Sequence, residues 1–262
     1  MSEVAATPRK KIAVITGASS GMGREFVLAL DKQQEFDELW LIARRKDRLE
    51  ELQASVKAKV RAIPLDLGKR ESIDAYKALL EEHKPEVAVL VNAAGFGHFQ
   101  AFTEVSLEAQ CDMVDLNSRA LMGITYVTLP YMKAGDRIYQ LGSLSSFQPV
   151  PCIGVYAATK AFVLSFSRSL NVELKSRGIR VMAVCPYWVK TEFFDRAKTD
   201  DTISYYNFMY EASGVVRQAI RDMKRGKDVS IHGKYPKLQV ALVKFLPHKL
   251  IMKIWCNQQK IK

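Results

Sequence analysis

KIAVITGASSGMGREFVLAL, residues 11–30, decides the fold. Six residues rich in apolar and β-branched side chains (11–16) run into Thr16-Gly17-Ala18-Ser19-Ser20-Gly21-Met22-Gly23, and from about Arg24 apolar residues recur at helical spacing. Such a stretch reads as a strand, a glycine turn and a helix. Its glycines let the backbone turn tightly and approach a ligand, while the helix start offers unpaired N–H groups and the positive end of a dipole. A glycine cluster alone is also simply a tight turn. Set between the first strand and the first helix of an alternating chain, it points to the pyrophosphate of a dinucleotide.

Six further apolar runs follow: LWLIA (39–43), VRAIPLD (60–66), VAVLVNA (87–93), RIYQLGS (137–143), RVMAVCP (180–186) and DVSIHG (228–233). Amphipathic segments such as 23–34, 46–57 and 162–178 separate them. Near-continuous hydrophobicity marks strands covered on both faces, and alternation with helices requires a parallel sheet. The expected fold is therefore α/β, a doubly wound (Rossmann) parallel sheet of seven strands flanked by helices. One domain spans 10–233, with a substrate lid at about 187–212, and a basic amphipathic tail covers 234–262. No linker, repeat or low-complexity segment divides the chain.

With 262 residues, 48% of them hydrophobic, the chain can bury one large core. It has no apolar run of the ~20 residues a spanning helix needs, and residues 1–9 lack the apolar region of a secretory signal, so a cytoplasmic protein is expected. Four scattered cysteines and four histidines show no metal-ligand spacing, which implies free thiols and no metal. The net charge of +11 is partly local, because residues 234–262 hold seven lysines and no Asp or Glu. The basic residues lack the arrangement of a nucleic-acid module, so no nucleic acid is expected; a phosphate-rich ligand, an acidic partner or an anionic membrane each suits the sign.

In open parallel sheets ligands bind beyond the carboxyl ends of the strands. The second strand ends at Ala43, where a carboxylate would hold the ribose hydroxyls of NAD; Arg44 and Arg45 stand there instead. A guanidinium pairs with a 2′-phosphate that a carboxylate would repel, so NADP(H) is the expected cofactor. The alternative is two solvated arginines at the start of a charged helix.

Tyr156 and Lys160, in VYAATKAF (155–162), would emerge on one helical face, one turn apart. By themselves they read equally as a packed aromatic beside a solvated amine. In combination with the other strand-end motifs, they give the chain, from about residue 10 to 233, a resemblance to the short-chain dehydrogenases/reductases, in particular the compact single-domain branch. Thr16-Gly17-x-x-x-Gly21-x-Gly23 looks like that family's cofactor loop, with Ser19, Ser20 and Met22 between the glycines. Asp66-Leu67 resembles its adenine-contacting pair, and Asn92-Ala93-Ala94-Gly95 its fourth-strand motif, with Ala93 where a second Asn is usual. Pro186-Tyr187-Trp188-Val189-Lys190-Thr191 resembles its turn over the nicotinamide, except that Tyr187 replaces a glycine. Asn117, Ser143, Tyr156 and Lys160 match its active-site set, and Ser143 has the usual separation from Tyr156.

The resemblance implies hydride transfer between a nicotinamide and a carbonyl or alcohol. Tyr156 would exchange the proton, Lys160 would lower the phenol's pKa and reach the nicotinamide ribose, Ser143 would orient the substrate oxygen, and Asn117 would hold a water that resupplies Lys160. Structural roles remain open for Ser143, as a cap, and for Asn117, as a partner of backbone groups. After the sixth strand come Tyr187, Trp188, Phe193, Phe194, Tyr205, Tyr206, Phe208, Met209 and Tyr210, which either line an apolar pocket or pack the lid; Phe96, Phe99, Ser145 and Phe147 would form the facing wall. A bulky hydrophobic ketone or alcohol such as a hydroxysteroid is the preferred substrate, with a 3-ketoacyl thioester of lipid metabolism, or a non-catalytic nucleotide-binding role, as alternatives. The tail, split by Pro247 into two short helices, would dock on the body or make a peripheral membrane contact. A homodimer or homotetramer is implied.

Overall fold

The computed structural model describes residues 9–198 and 200–261. Seven strands form one parallel sheet: β1 (Lys11–Thr16), β2 (Glu38–Ala43), β3 (Lys59–Pro64), β4 (Glu86–Asn92), β5 (Arg137–Leu141), β6 (Arg180–Val184) and β9 (Val229–Ser230), in the order β3-β2-β1-β4-β5-β6-β9. Two-residue strands β7 (Val189–Lys190) and β8 (Tyr210–Glu211) pair separately, parallel to each other, and pin the two ends of the segment after β6. The seven sheet strands coincide with the seven apolar runs of the sequence.

Alternation along each strand serves two cores. Ala13 and Ile15 face one layer, formed with Phe26, Val27 and Leu30 of α1 (Gly21–Asp31), Leu49 of α2 (Lys46–Glu51) and Val215, Val216 and Ala219 of α8 (Ala212–Lys224). Ile12 and Val14 face the other, formed with Tyr76 and Leu80 of α3 (Glu71–His83), Ile124 of α5 (Leu121–Thr128) and Leu170 of α6 (Gly154–Glu173). Both sides of the sheet are apolar because both are buried, each large side chain contributing ~1.5–3 kcal/mol.

A third cluster lies at the carboxyl end of the sheet. Phe99, Val150, Ile153, Ala157, Ala197 and Ile203 are buried there against Trp188, Phe193, Phe194, Tyr206, Trp255 and Ile261. It joins the lid, including α7 (Phe193–Ala197), to α10 (His248–Gln259), while Tyr235 of α9 (Lys234–Val243) meets the lid at Tyr187 and Phe208. Pro247 caps α10 at its start, so the two expected helical pieces form, and they dock on the body. Among the described residues no helix is long and apolar enough to cross a membrane.

Candidate active site

The sheet order reverses between β1 and β4, whose carboxyl ends diverge into a crevice. Gly17 sits there at φ +66°, and a Cβ on it would fall 2.7 Å from the Ala94 nitrogen; one on Gly23 would fall 2.2 Å from the Gly17 carbonyl oxygen. Neither position takes a side chain. Helix α1 starts at Gly21, three residues before the sequence suggests, because the extended backbone of Ser20 already turns the chain. No side chain caps this helix start and its first turn holds no acidic residue, so its N–H groups suit an incoming phosphate. The loop is fitted to a pyrophosphate.

One cavity of about 450 Å³ runs from this loop to the C-terminal helices. Every residue expected to hold the cofactor lines it except Thr16 and Asn92, which lie behind the wall. The Thr16 hydroxyl accepts from the Ala93 and Ala94 nitrogens (3.0 and 3.1 Å) and splices β1 to the β4 loop. The Asn92 amide donates to Thr125 Oγ1 and Gln140 Oε1 (3.0 and 2.9 Å), which supports the strand from inside. Both are positioning residues.

At the ribose end, Arg44 is exposed, lines the cavity and makes no hydrogen bond or ion pair among the described residues. Arg45, not separately assigned from the sequence, donates from Nη2 to Ser19 Oγ (3.2 Å) and to Glu192 Oε2 (2.9 Å). Two guanidinium groups and a serine hydroxyl therefore face the same place. The position of Glu192 is invisible in the sequence, since it lies 147 residues from its partner.

At the far end, Ser143, Tyr156 and Lys160 share one wall. Ser143 follows β5; it starts a short 3₁₀ turn in a reciprocal cap, its oxygen accepting from the Ser145 nitrogen (3.2 Å) and its own N–H donating to Ser146 Oγ (3.1 Å). Its hydroxyl stands beside Tyr156 and acts to lower the phenol's pKa. The capping role is therefore present, and it leaves Ser143 on the cavity wall. Tyr156 rests its ring on Phe193 (centroids 5.6 Å apart), and a Cβ on Gly97 would come within 2.9 Å of that ring, so the glycine fixes where the phenol stands.

The expected lowering of the phenol's pKa by the lysine is not what the protein alone provides. Burial pushes Tyr156 up to about 12, and the hydrogen bond from Ser143 opposes it only in part. Lys160 is itself buried, which lowers it to about 8; its Nζ lies 5.6 Å from the Tyr156 ring centroid and donates to the Leu141 carbonyl (2.7 Å). Desolvation is the largest cause at both groups, because each is removed from water. Buried Cys185, also next to this wall, has its thiol raised to about 12 and stays neutral.

Asn117 is fully buried and does not line the cavity. Its amide holds the Phe96 N–H and carbonyl (3.0 and 2.8 Å) and Thr159 Oγ1 (3.1 Å), so the side chain clamps the β4 loop to α6. It sits in a π-helical turn, Asp115–Ala120, between α4 (Leu107–Val114) and α5. A Cβ on Gly95 would lie 2.8 Å from Asn117 Oδ1 and 3.4 Å from Lys160 Nζ, which places asparagine, glycine and lysine in one stack.

Of the large lid residues, Tyr187, Trp188, Phe193 and Phe194 line the cavity, with Phe96, Phe99 and Ser145 opposite; Tyr205, Tyr206, Phe208, Met209 and Tyr210 do not, and Phe147 does not. Tyr206 packs edge-on behind Trp188 (5.1 Å), and Phe208 behind Tyr187 (5.5 Å). Tyr187, in the place of the usual glycine, adds wall: its ring meets Tyr235 of α9 (5.9 Å). Tyr235, Gln239, Trp255 and Gln258 of the tail complete the cavity. Trp255 stacks on Trp188 and its Nε1 donates to the Pro151 carbonyl (3.0 Å), a placement that tail composition alone does not reveal.

A glycine-fitted nucleotide crevice ending at a serine, tyrosine and lysine on one wall defines a dinucleotide-dependent oxidoreductase fold. Residues 11–202 match the family model for short chain dehydrogenases, and the chain belongs to that family. The very-long-chain 3-oxoacyl-CoA reductase of Homo sapiens is 29% identical over 264 residues, covering 95% of this chain and 79% of that one. Among solved structures, a short-chain dehydrogenase of Sphingobium yanoikuyae in complex with NADPH is 29% identical, with a TM-score of 0.76 over 90% of this chain and 94% of that one. The bulky-bulky ketone specific alcohol dehydrogenase of Comamonas testosteroni is 26% identical, with a TM-score of 0.72 over 91% and 93% of the two chains. Structures of this fold carry NADPH, NADP or NAD.

Proposed function

We propose that the protein is an NADP(H)-dependent oxidoreductase that interconverts a ketone and a secondary alcohol on a bulky hydrophobic substrate, of which a hydroxysteroid is the preferred example. The observation that carries this reading is the meeting of Ser143, Tyr156 and Lys160 at one end of a crevice whose other end is fitted to a dinucleotide. A nucleotide-binding module without chemistry has no use for that trio.

Gly17, Ser19, Ser20, Gly21 and Arg44 would hold the dinucleotide, which when bound and reduced would supply hydride for the carbonyl carbon. Ser143 orients the carbonyl oxygen, and Tyr156 gives that oxygen its phenolic proton, breaking the O–H bond as the alcohol O–H forms. A phenol pushed up to about 12 by burial is protonated near neutrality, the state in which it can donate. Lys160 is the charge that stabilises the phenolate left behind, with the Ser143 hydroxyl as its hydrogen-bond donor. Asn117 positions α6 and the β4 loop.

NADP(H) over NAD(H) rests on Arg44 and Arg45 beside Ser19, with no carboxylate from the end of β2. The bulky substrate rests on the aromatic wall and on the likeness to an enzyme described as specific for bulky-bulky ketones. A second reading, reduction of a 3-oxoacyl thioester, is favoured by the human relative, whose likeness extends over 95% of this chain. Purified protein should consume NADPH with bulky steroid or aryl ketones; consumption with 3-oxoacyl thioesters alone selects the second reading, and inertness towards both classes overturns the proposal.

A homodimer or homotetramer completes the reading. Leu107 and Tyr126, each 76% exposed, and Val172, at 72%, lie on α4, α5 and α6, where a second copy would cover them. Sedimentation velocity that finds only monomer overturns this part. The four unpaired thiols suit a cytoplasmic setting.

A further inference from the structure

We propose that α9, α10 and the turn between them form a membrane-facing lid: the outer surface binds an anionic lipid bilayer while the inner surface closes the cavity, so that an apolar substrate enters from the bilayer. The substrate part rests on the function proposed above; the membrane part stands apart from it.

The inner surface is fixed to the body. Tyr235, Gln239, Trp255 and Gln258 line the cavity, Val240, Val243 and Ile251 are buried, and buried Gln259 accepts from the Ser204 and Tyr205 nitrogens while donating to the Tyr205 carbonyl. Docking therefore leaves a second set of apolar residues unused. Leu238 and Leu242 stand one turn apart on α9, Leu250 and Ile254 one turn apart on α10, and all four are exposed. Phe245, in the turn, is 86% exposed, the most of any large apolar residue among those described, and Leu246 beside it is exposed as well. Nothing in the packing requires them to be apolar.

Charge identifies what covers them. Lys234, Lys237, Lys244, Lys249, Lys253 and Lys260 are exposed, and none pairs with a carboxylate among the described residues. Because residues 234–262 contain no Asp or Glu, a second copy meeting this face would set lysines against lysines. An anionic headgroup layer matches the cations, at about 1 kcal/mol for each lysine near the surface, and the acyl boundary beneath takes Phe245 and the leucines. The same two helices then touch both the bilayer and the substrate cavity, which gives a lipid-dissolved ketone a short route inward.

Co-sedimentation of the full chain with vesicles of phosphatidylcholine, with and without phosphatidylglycerol, tests the first part. Wild type should pellet with the anionic vesicles, weaken with salt, and bind about tenfold less tightly as Phe245→Glu/Leu246→Glu, two positions outside the cavity. No binding to anionic vesicles, or equal binding by wild type and variant, overturns it. Turnover of a water-soluble ketone should be the same in both proteins, whereas a long-chain ketone dissolved in anionic vesicles should be reduced several-fold faster by wild type. Equal rates on the vesicle-borne ketone overturn the entry route. Failure of both proteins to reduce any ketone while wild type still binds vesicles overturns the proposed chemistry and leaves the membrane face standing.

Discussion

Arg45 and Glu192 join across the mouth of the cofactor crevice through a 2.9 Å ion pair, one from the end of β2 and the other from the start of the lid. Arg48 stands 3.9 Å from the same carboxylate. The pair is exposed on both sides, so it contributes at most about 1 kcal/mol, and a phosphate dianion can compete for the guanidinium. Glu192→Gln is therefore expected to tighten NADPH about two- to fivefold and to leave NADH unchanged, measured by cofactor fluorescence titration. Tightening of both cofactors alike would show that the carboxylate restricts access without touching phosphate recognition.

The complementary change is Arg44→Asp. Replacing an uncommitted cation by an anion at the ribose should weaken NADPH by roughly 10- to 100-fold and NADH far less, which is the scale of one lost charge-assisted contact plus repulsion. The ratio of the two dissociation constants is the readout. Equal losses would mean that the arginine does not read the extra phosphate.

Tyr156→Phe removes the proton donor and keeps the ring that packs on Phe193. Turnover should fall at least about a thousandfold, with NADPH affinity and thermal midpoint close to wild type. Activity within tenfold of wild type would take the phenol out of its role.

Lys160 allows a test of sign. Its folded-state value near 8 lies below the ordinary 10.5, so between those values the unfolded chain binds more protons and stability rises with pH. Below about 8 the buried ammonium carries its full penalty, about 3 kcal/mol when each pH unit of the gap counts ~1.4 kcal/mol. Lys160→Met, inactive but free of this penalty, should therefore gain on wild type at pH 7 and lose that advantage as pH approaches 10, followed by denaturant titration. A gap between the two proteins that does not move with pH would show that the ammonium is not depressed.

Trp255→Ala opens the wall contributed by α10. Loss of the Pro151 hydrogen bond and the Trp188 contact should cost roughly 2 kcal/mol of stability, lowering the midpoint by about 5 °C. KM for bulky ketones should rise while kcat/KM for a small ketone stays near wild type.

The parts of this molecule that were legible in the sequence are those where one local pattern has one physical meaning. All seven sheet strands show as apolar runs because residues such as Ile12 and Ala13 are buried on opposite faces of the same sheet. The crevice was legible because Gly17 and Gly23 occupy positions that exclude a Cβ. What was not legible depends on backbone atoms or on distant partners. The Lys160 ammonium answers to the Leu141 carbonyl, which any residue type would provide, and the phenol's upward shift comes from burial that no motif encodes. Asn117 was found by its motif, yet its role as a clamp on Phe96 became visible only with the π-helical turn in place. Strands β7 and β8, two residues each, are too short to leave a pattern.

The match to the family model ends at residue 202, whereas Tyr235, Gln239, Trp255 and Gln258 of the cavity wall lie beyond it. One part of the cavity wall is thus written in a stretch of the gene separate from Ser143, Tyr156 and Lys160. Exchange or drift of the final coding segment can change which molecules are admitted while the reacting groups stay untouched.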